Sequence, residues 1–187
     1  MSEESSPESM SWSASFEELS VAQRFASPQR PVRDTDVICA ALLHDSVEDH
    51  PAELAGGAAD PAAALAVLAA EFGPRVAELV SAVTNPQYVP GRDQDEQYRE
   101  HVADSLRDNP WARVIKVSDF TDNGAGLMHT TGPRVHRLAA KYAPLVPVLA
   151  ELIARPDTPL SAAAKERISA QLDRAADRFA ALRGDAG

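Results

Sequence analysis

Cysteine is nearly absent: Cys39 is the single one in 187 residues. A disulfide within the chain is thereby excluded, and a partnerless cysteine inside an apolar run reads as a small buried hydrophobe in a reducing compartment. Aromatic residues are scarce at 5%, and runs of Val, Ile and Tyr with strand alternation are missing, which argues against sheets. No apolar run approaches the ~20 residues that cross a membrane. The first fifteen positions are Ser- and Glu-rich and lack the basic start and apolar stretch of a secretory leader. A cytoplasmic protein without a membrane partner is therefore expected. Excess positive charge is also lacking: 18 Lys and Arg face 28 Asp and Glu, for a formal net charge of −10. That excludes the broad basic face a nucleic-acid polymer demands, but allows a small anion held by a metal and a few local cations.

What is present in quantity is helix-forming: Ala, Leu, Glu and Arg dominate a chain that is 44% hydrophobic and 25% charged. The length suits one domain with a sizeable core. An all-α bundle of about seven helices follows from counting apolar faces. Residues 1–14 are too poor in apolar area to offset ordering and read as a tail. The folded domain is placed at 15–154, with 155–187 a C-terminal amphipathic helix packed on it.

In chain order, Phe16, Leu19, Val21, Ala22 and Phe25 outline a first helix. Asp34-Thr35-Asp36 caps a central helix running to about Asp49, stopped by Pro51, with Val37, Ala41 and Leu42 on its buried stripe. Residues 52–64 read as a loop with a weak helical turn. Leu65, Val67, Leu68 and Phe72 mark a helix ending at Gly73, and Pro74 opens another with Val76, Leu79, Val80 and Val83 inside. A loop at 85–91 precedes a surface helix over 92–106, anchored by Tyr98 and Val102. Asn109-Pro110 starts a helix from Trp111 to Asp119. Residues 127–152 read as one long helix bent near Pro144 and Pro147. A last helix buries Ile168, Leu172, Phe179 and Leu182 and ends on Gly184.

The end of the central helix carries the chemistry. His44, Asp45, Glu48 and Asp49 cluster there through i,i+4 spacing, and three carboxylates with an imidazole closing an apolar run are costly unless a cation shares the site. A second acidic cluster, Lys116-Val117-Ser118-Asp119-Phe120-Thr121-Asp122-Asn123, follows the apolar Val114, Ile115 and Val117. One imidazole with hard carboxylate oxygens suits a borderline-to-hard ion such as Mn²⁺ or Fe²⁺.

Several ordered pieces resemble the metal-dependent phosphohydrolases known for an adjacent His-Asp pair, and within them the hydrolase domain of bacterial stringent-response alarmone enzymes. These are Ala41-Leu42-Leu43-His44-Asp45 with Glu48-Asp49, then Phe72-Gly73, Val83-Thr84, Lys116 with Asp119 and Asn123, and Lys141-Tyr142-Ala143-Pro144-Leu145. Together they cover residues 36–150. The resemblance implies an HD-domain helical bundle that removes the 3′-pyrophosphate of guanosine tetra- or pentaphosphate. It further implies one divalent ion, usually manganese, on His44, Asp45 and Asp119. Glu48 and Asp49 would orient or deprotonate its water. Asn123, Tyr142 and Lys116 would face a small anionic nucleotide, and Arg92 and Arg99 are further candidates for phosphate contact. A homodimer is left open.

The chain departs from the family pattern in three places. No histidine precedes His44 to supply the family's further ligand, and Glu17 falls at or near that position. The basic segment upstream of it is replaced by Ser and Glu, and Phe120 and Asp122 stand where Arg and His are usual. A catalytically impaired module binding a nucleotide or a protein, or a hydrolase of another nucleotide, are the alternative readings.

Overall fold

The computed structural model describes residues 33–57, 59–127 and 133–184, with side chains left undescribed at 123–127, 133, 134, 183 and 184. The tail 1–14, the helix expected over Phe16–Phe25, and Glu17 lie outside the described residues. Within them the chain consists of helices and connections, with no strand. The all-α reading of the composition is what the fold shows.

The elements are α1 (Thr35–Leu43), the single turns α2 (Ser46–Asp49) and α3 (Pro51–Leu54), α4 (Pro61–Phe72), α5 (Pro74–Val83), α6 (Gln94–Arg107), α7 (Pro110–Leu127), α8 (Pro133–Tyr142), α9 (Leu145–Ala154) and α10 (Ala162–Gly184). The starts follow their sequence signals. Asp34 caps α1 through the Val37 amide, Asp93 caps α6 through the Glu96 amide, and Asn109 accepts from the Ala112 amide at the start of α7. Gly73 closes α4 and opens α5 at φ 95°, ψ 157°, a backbone shape that side-chain-bearing residues avoid.

Four sequence expectations are corrected. The central helix is not continuous to Asp49: it breaks at His44-Asp45, where the Ser46 hydroxyl takes the Leu43 carbonyl at 2.6 Å and competes with the helical ladder. The helical segment does end at Asp49, ahead of Pro51, which opens the turn α3 where its missing amide costs nothing, but Pro61 starts α4 earlier than the apolar pattern implies. The second acidic segment lies within α7, which continues to Leu127. The long helix of 127–152 is two helices, α8 and α9, separated at Ala143-Pro144, while Pro147 sits harmlessly in the first turn of α9.

One core joins the elements. Helix α1 packs on α5, and Val37, Ala40 and Ala41 of the one and Val76, Val80 and Val83 of the other share a single buried core with Leu106, Ile115, Leu145, Leu149, Leu172 and Phe179. Leu42, Cys39 and Ile168 are half-buried rather than enclosed, and Phe72, which the pattern placed inside, is exposed. The C-terminal α10 packs on α7, α8 and α9, and the His136 ring joins it to α8 through the Leu182 carbonyl at 2.8 Å. Arg113, wholly buried, ties the last turn of α6 to the turn after α9. Its guanidinium donates to the carbonyls of Leu106 and Arg107, to Asp157 at 2.8 Å and to Thr158 at 3.0 Å. No helix among the described residues is long and apolar enough to cross a membrane.

Candidate functional site

The break after α1 sets the first half of the site. At Ala40 and Ala41 the helix is tight against α5, so His44, one turn on, is carried to the buried edge of the bundle. Its Nδ1 stands 2.9 Å from the Ala41 carbonyl. A carbonyl can only accept, so Nδ1 carries the hydrogen and Nε2 keeps its lone pair when the ring is neutral.

Helix α7 brings the second half. Its apolar positions Val114, Ile115 and Val117 bury one face, and the helical period places Lys116, Asp119 and the backbone of Asn123 on a common stripe. The side chains of Asp119 and Lys116 meet His44: Nε2 lies 3.7 Å from Asp119 Oδ1 and 3.1 Å from Asp45 Oδ2, and Lys116 Nζ lies 3.1 Å from Asp119 Oδ2. His44 is 4% exposed, and its Nε2 has no hydrogen-bond partner despite the two nearby carboxylates. The two His44 contacts are close charge pairs and not aligned hydrogen bonds.

The electrostatics follow from burial and pairing. Burial opposes charge on His44, but Asp119 and Asp45 outweigh it and hold the ring protonated up to about 10. Burial would raise Asp119, yet Lys116 and His44 keep its carboxyl well below the usual range. Burial also opposes the Lys116 ammonium, and Asp119, with Tyr98 and Glu48 around it, raises it above an ordinary lysine. Lys116 reaches the Val83 carbonyl at 3.3 Å as well, which joins α7 to the end of α5.

Glu48 is the third member. Burial raises its carboxyl pKa, against the opposite pull of the Asn85 amide and Lys116. Asn85, just past α5, holds both oxygens: its backbone N–H donates at 2.6 Å, and its side-chain amide donates to the other oxygen. Sequence reading places Asn85 merely in a loop. The one available signal is the Val83-Thr84 helix ending, which delivers Asn85 to the spot.

The remaining expected residues divide. Tyr142 is half-buried, packs edge-on to Phe120 at 5.8 Å, and is pushed up to about 12 by burial. Phe120, which also packs against Phe179 at 6.3 Å, is a core aromatic and not a substitute polar group. Asp49 is exposed at the end of α2, whereas Glu48 beside it is half-buried. Asn123 lies on α7, and its side chain is outside the described residues. Arg92 and Arg99 are committed to Glu100 and Glu96 on the exposed side of α6. Two residues not proposed from sequence join the site: Tyr98 of α6, buried, and Lys141, whose Nζ lies 4.4 Å from the Tyr98 ring centre, with Lys116 Nζ 5.6 Å from the same centre.

No three His, Cys, Asp or Glu side chains among the described residues stand as a group that could hold a metal ion. The chemistry of the donors nevertheless fits one: a buried imidazole with its tautomer fixed, an unpartnered Nε2, and hard oxygens from Asp45 and Asp119 beside it. Searches against protein-family models, curated proteins and solved structures return no match.

Proposed function

We propose that the chain is a metal-dependent phosphohydrolase of the His-Asp class that acts on a small phosphorylated nucleotide, with the 3′-pyrophosphate of guanosine tetra- or pentaphosphate as its first candidate substrate. The observation that carries the reading is the meeting of His44, Asp45 and Asp119, from segments over seventy residues apart, around one unpartnered imidazole nitrogen. The ordered motifs from Ala41 to Leu145 support the choice of substrate class. These three residues would hold a single divalent ion, for which manganese is proposed; when bound, it supplies Lewis acidity and a water of lowered pKa.

The chain's own groups supply the rest. Glu48, held at both oxygens by Asn85 and less acidic than an ordinary glutamate, is the proton acceptor. Lys116 keeps Asp119 ionised and adds positive charge where phosphate oxygens gain negative charge. Tyr142 lines the nucleoside side. The purified protein with Mn²⁺ and guanosine tetraphosphate should release pyrophosphate, and D119A should release none. No release from the parent, or equal release from D119A, defeats the reading.

One observation favours a second reading. The Lys116 ammonium already neutralises Asp119 at 3.1 Å, so the cluster balances much of its charge from within, as a non-catalytic nucleotide-binding module would. Nucleotide binding that survives a chelator, with no turnover of any nucleotide tried, would select it.

A further inference from the structure

Beside the acidic cluster stands a pair of cations that the proposed hydrolase chemistry does not use fully. Lys116 and Lys141 come from different helices, α7 and α8, yet both ammonium groups approach the Tyr98 ring, at 5.6 and 4.4 Å from its centre. Lys141 also lies 5.5 Å from the centre of the Tyr142 ring. An aromatic face attracts each ammonium, but it does not cancel the repulsion between them. Lys116 has its carboxylate, Asp119. Lys141 is half-buried against aromatic carbon and forms no ion pair with a carboxylate among the described residues. In a chain of net charge −10, with acidic side chains abundant, a half-buried lysine that shares an aromatic ring with Lys116 and has no carboxylate among the described residues is a candidate for contact with an anion.

We propose that Lys141, braced by Tyr98, is a phosphate-contacting residue beside the His44–Asp119 cluster and gives the protein affinity for a phosphate or diphosphate group without any metal. The inference rests on the hydrolase reading only for the identity of the site; the cation pair itself stands on the side-chain geometry. The bland account of Lys141 is a cation in the last turn of α8 that favours the helix dipole. That role would change helix stability and leave anion affinity untouched.

The test is calorimetric titration of inorganic pyrophosphate into the full chain in the presence of a chelator. The parent should bind, more weakly at higher salt. K141M and K141Q should each bind about tenfold more weakly or worse, the loss of one charge-assisted contact, with K141R close to the parent. Thermal melting of each variant without pyrophosphate reads out any purely structural role. A parent that binds no pyrophosphate in chelator, or K141M and K141Q that both bind like the parent, overturns the proposal. Lysine-dependent pyrophosphate binding in a protein that hydrolyses no nucleotide would sustain this inference while the hydrolase reading falls. Hydrolysis with pyrophosphate binding indifferent to Lys141 would do the reverse.

Discussion

His44 concentrates the physics of the site in one ring. Its Nδ1 is committed to the Ala41 carbonyl, and its Nε2 is enclosed with Asp45 and Asp119 but bonded to neither. In the metal-free protein a proton occupies that position and is held from the free value of 6.5 up to about 10. A group whose folded pKa is raised contributes stability fully below its unfolded value and loses it as pH climbs through the folded one. Metal-free protein should therefore melt at progressively lower temperature between pH 7 and 10, and H44N should flatten that slope. Circular dichroism melts at a series of pH values check it; a parent slope equal to that of H44N would contradict the assignment. Helical spacing marked His44 and Asp45 at the end of an apolar stripe, but that Asp119 and Lys116 meet them was implied only by the family resemblance, because an acidic residue after an apolar helix usually faces water. The hold of Asn85 on Glu48 was not legible, since it spans thirty-seven positions and depends on where a loop lands.

Arg113 is the residue-scale counterpart on the far side of α7. It is fully buried, with four acceptors around its guanidinium. R113M keeps the stem's packing but abandons the Leu106 and Arg107 carbonyls, and is expected to cost roughly 2–4 kcal/mol. Urea unfolding measures it; a loss below about 0.5 kcal/mol would show that the network is incidental. Sequence gave no hint of this role, because an arginine among Val, Ile and Trp looks the same whether its head reaches water or a carbonyl cage.

At the scale of elements, the joint between α4 and α5 depends on one backbone conformation. Gly73 lies at φ 95° with open space where a Cβ would project, so a side chain there meets strain and no clash. G73A should destabilise by about 1–3 kcal/mol, the ordinary cost of such a conformation. An unchanged unfolding midpoint would mean that the joint relaxes freely. The Phe72-Gly73-Pro74 punctuation made this boundary readable, as Asp34 and Asn109 did for two helix starts, whereas the Asp93 cap of α6 was not read and that helix was expected from Arg92. The break at His44-Asp45 escaped notice because both residues keep right-handed helical backbone angles. What interrupts the helix is a hydroxyl competing for one carbonyl, and periodicity carries no trace of that.

For the molecule as a whole, the scarcity of aromatics and strand formers sufficed to foresee a bundle built of helices alone, and the apolar stripes foresaw most of its core. How the bundle folds back to set α1 against α7 could not be read from any single stripe. The shared side of that crossing is where Glu48, His44, Asp119 and Lys116 gather, and it is the basis for proposing hydrolysis. The most direct measurement is Mn²⁺ titrated into the full-length protein, with unbound Mn²⁺ followed by electron paramagnetic resonance. One bound ion per chain is expected in the parent, with binding lost in both H44A and D119A. An unaltered free-Mn²⁺ signal with the parent, or equal binding in the two variants, would contradict the claim that these residues form a metal centre.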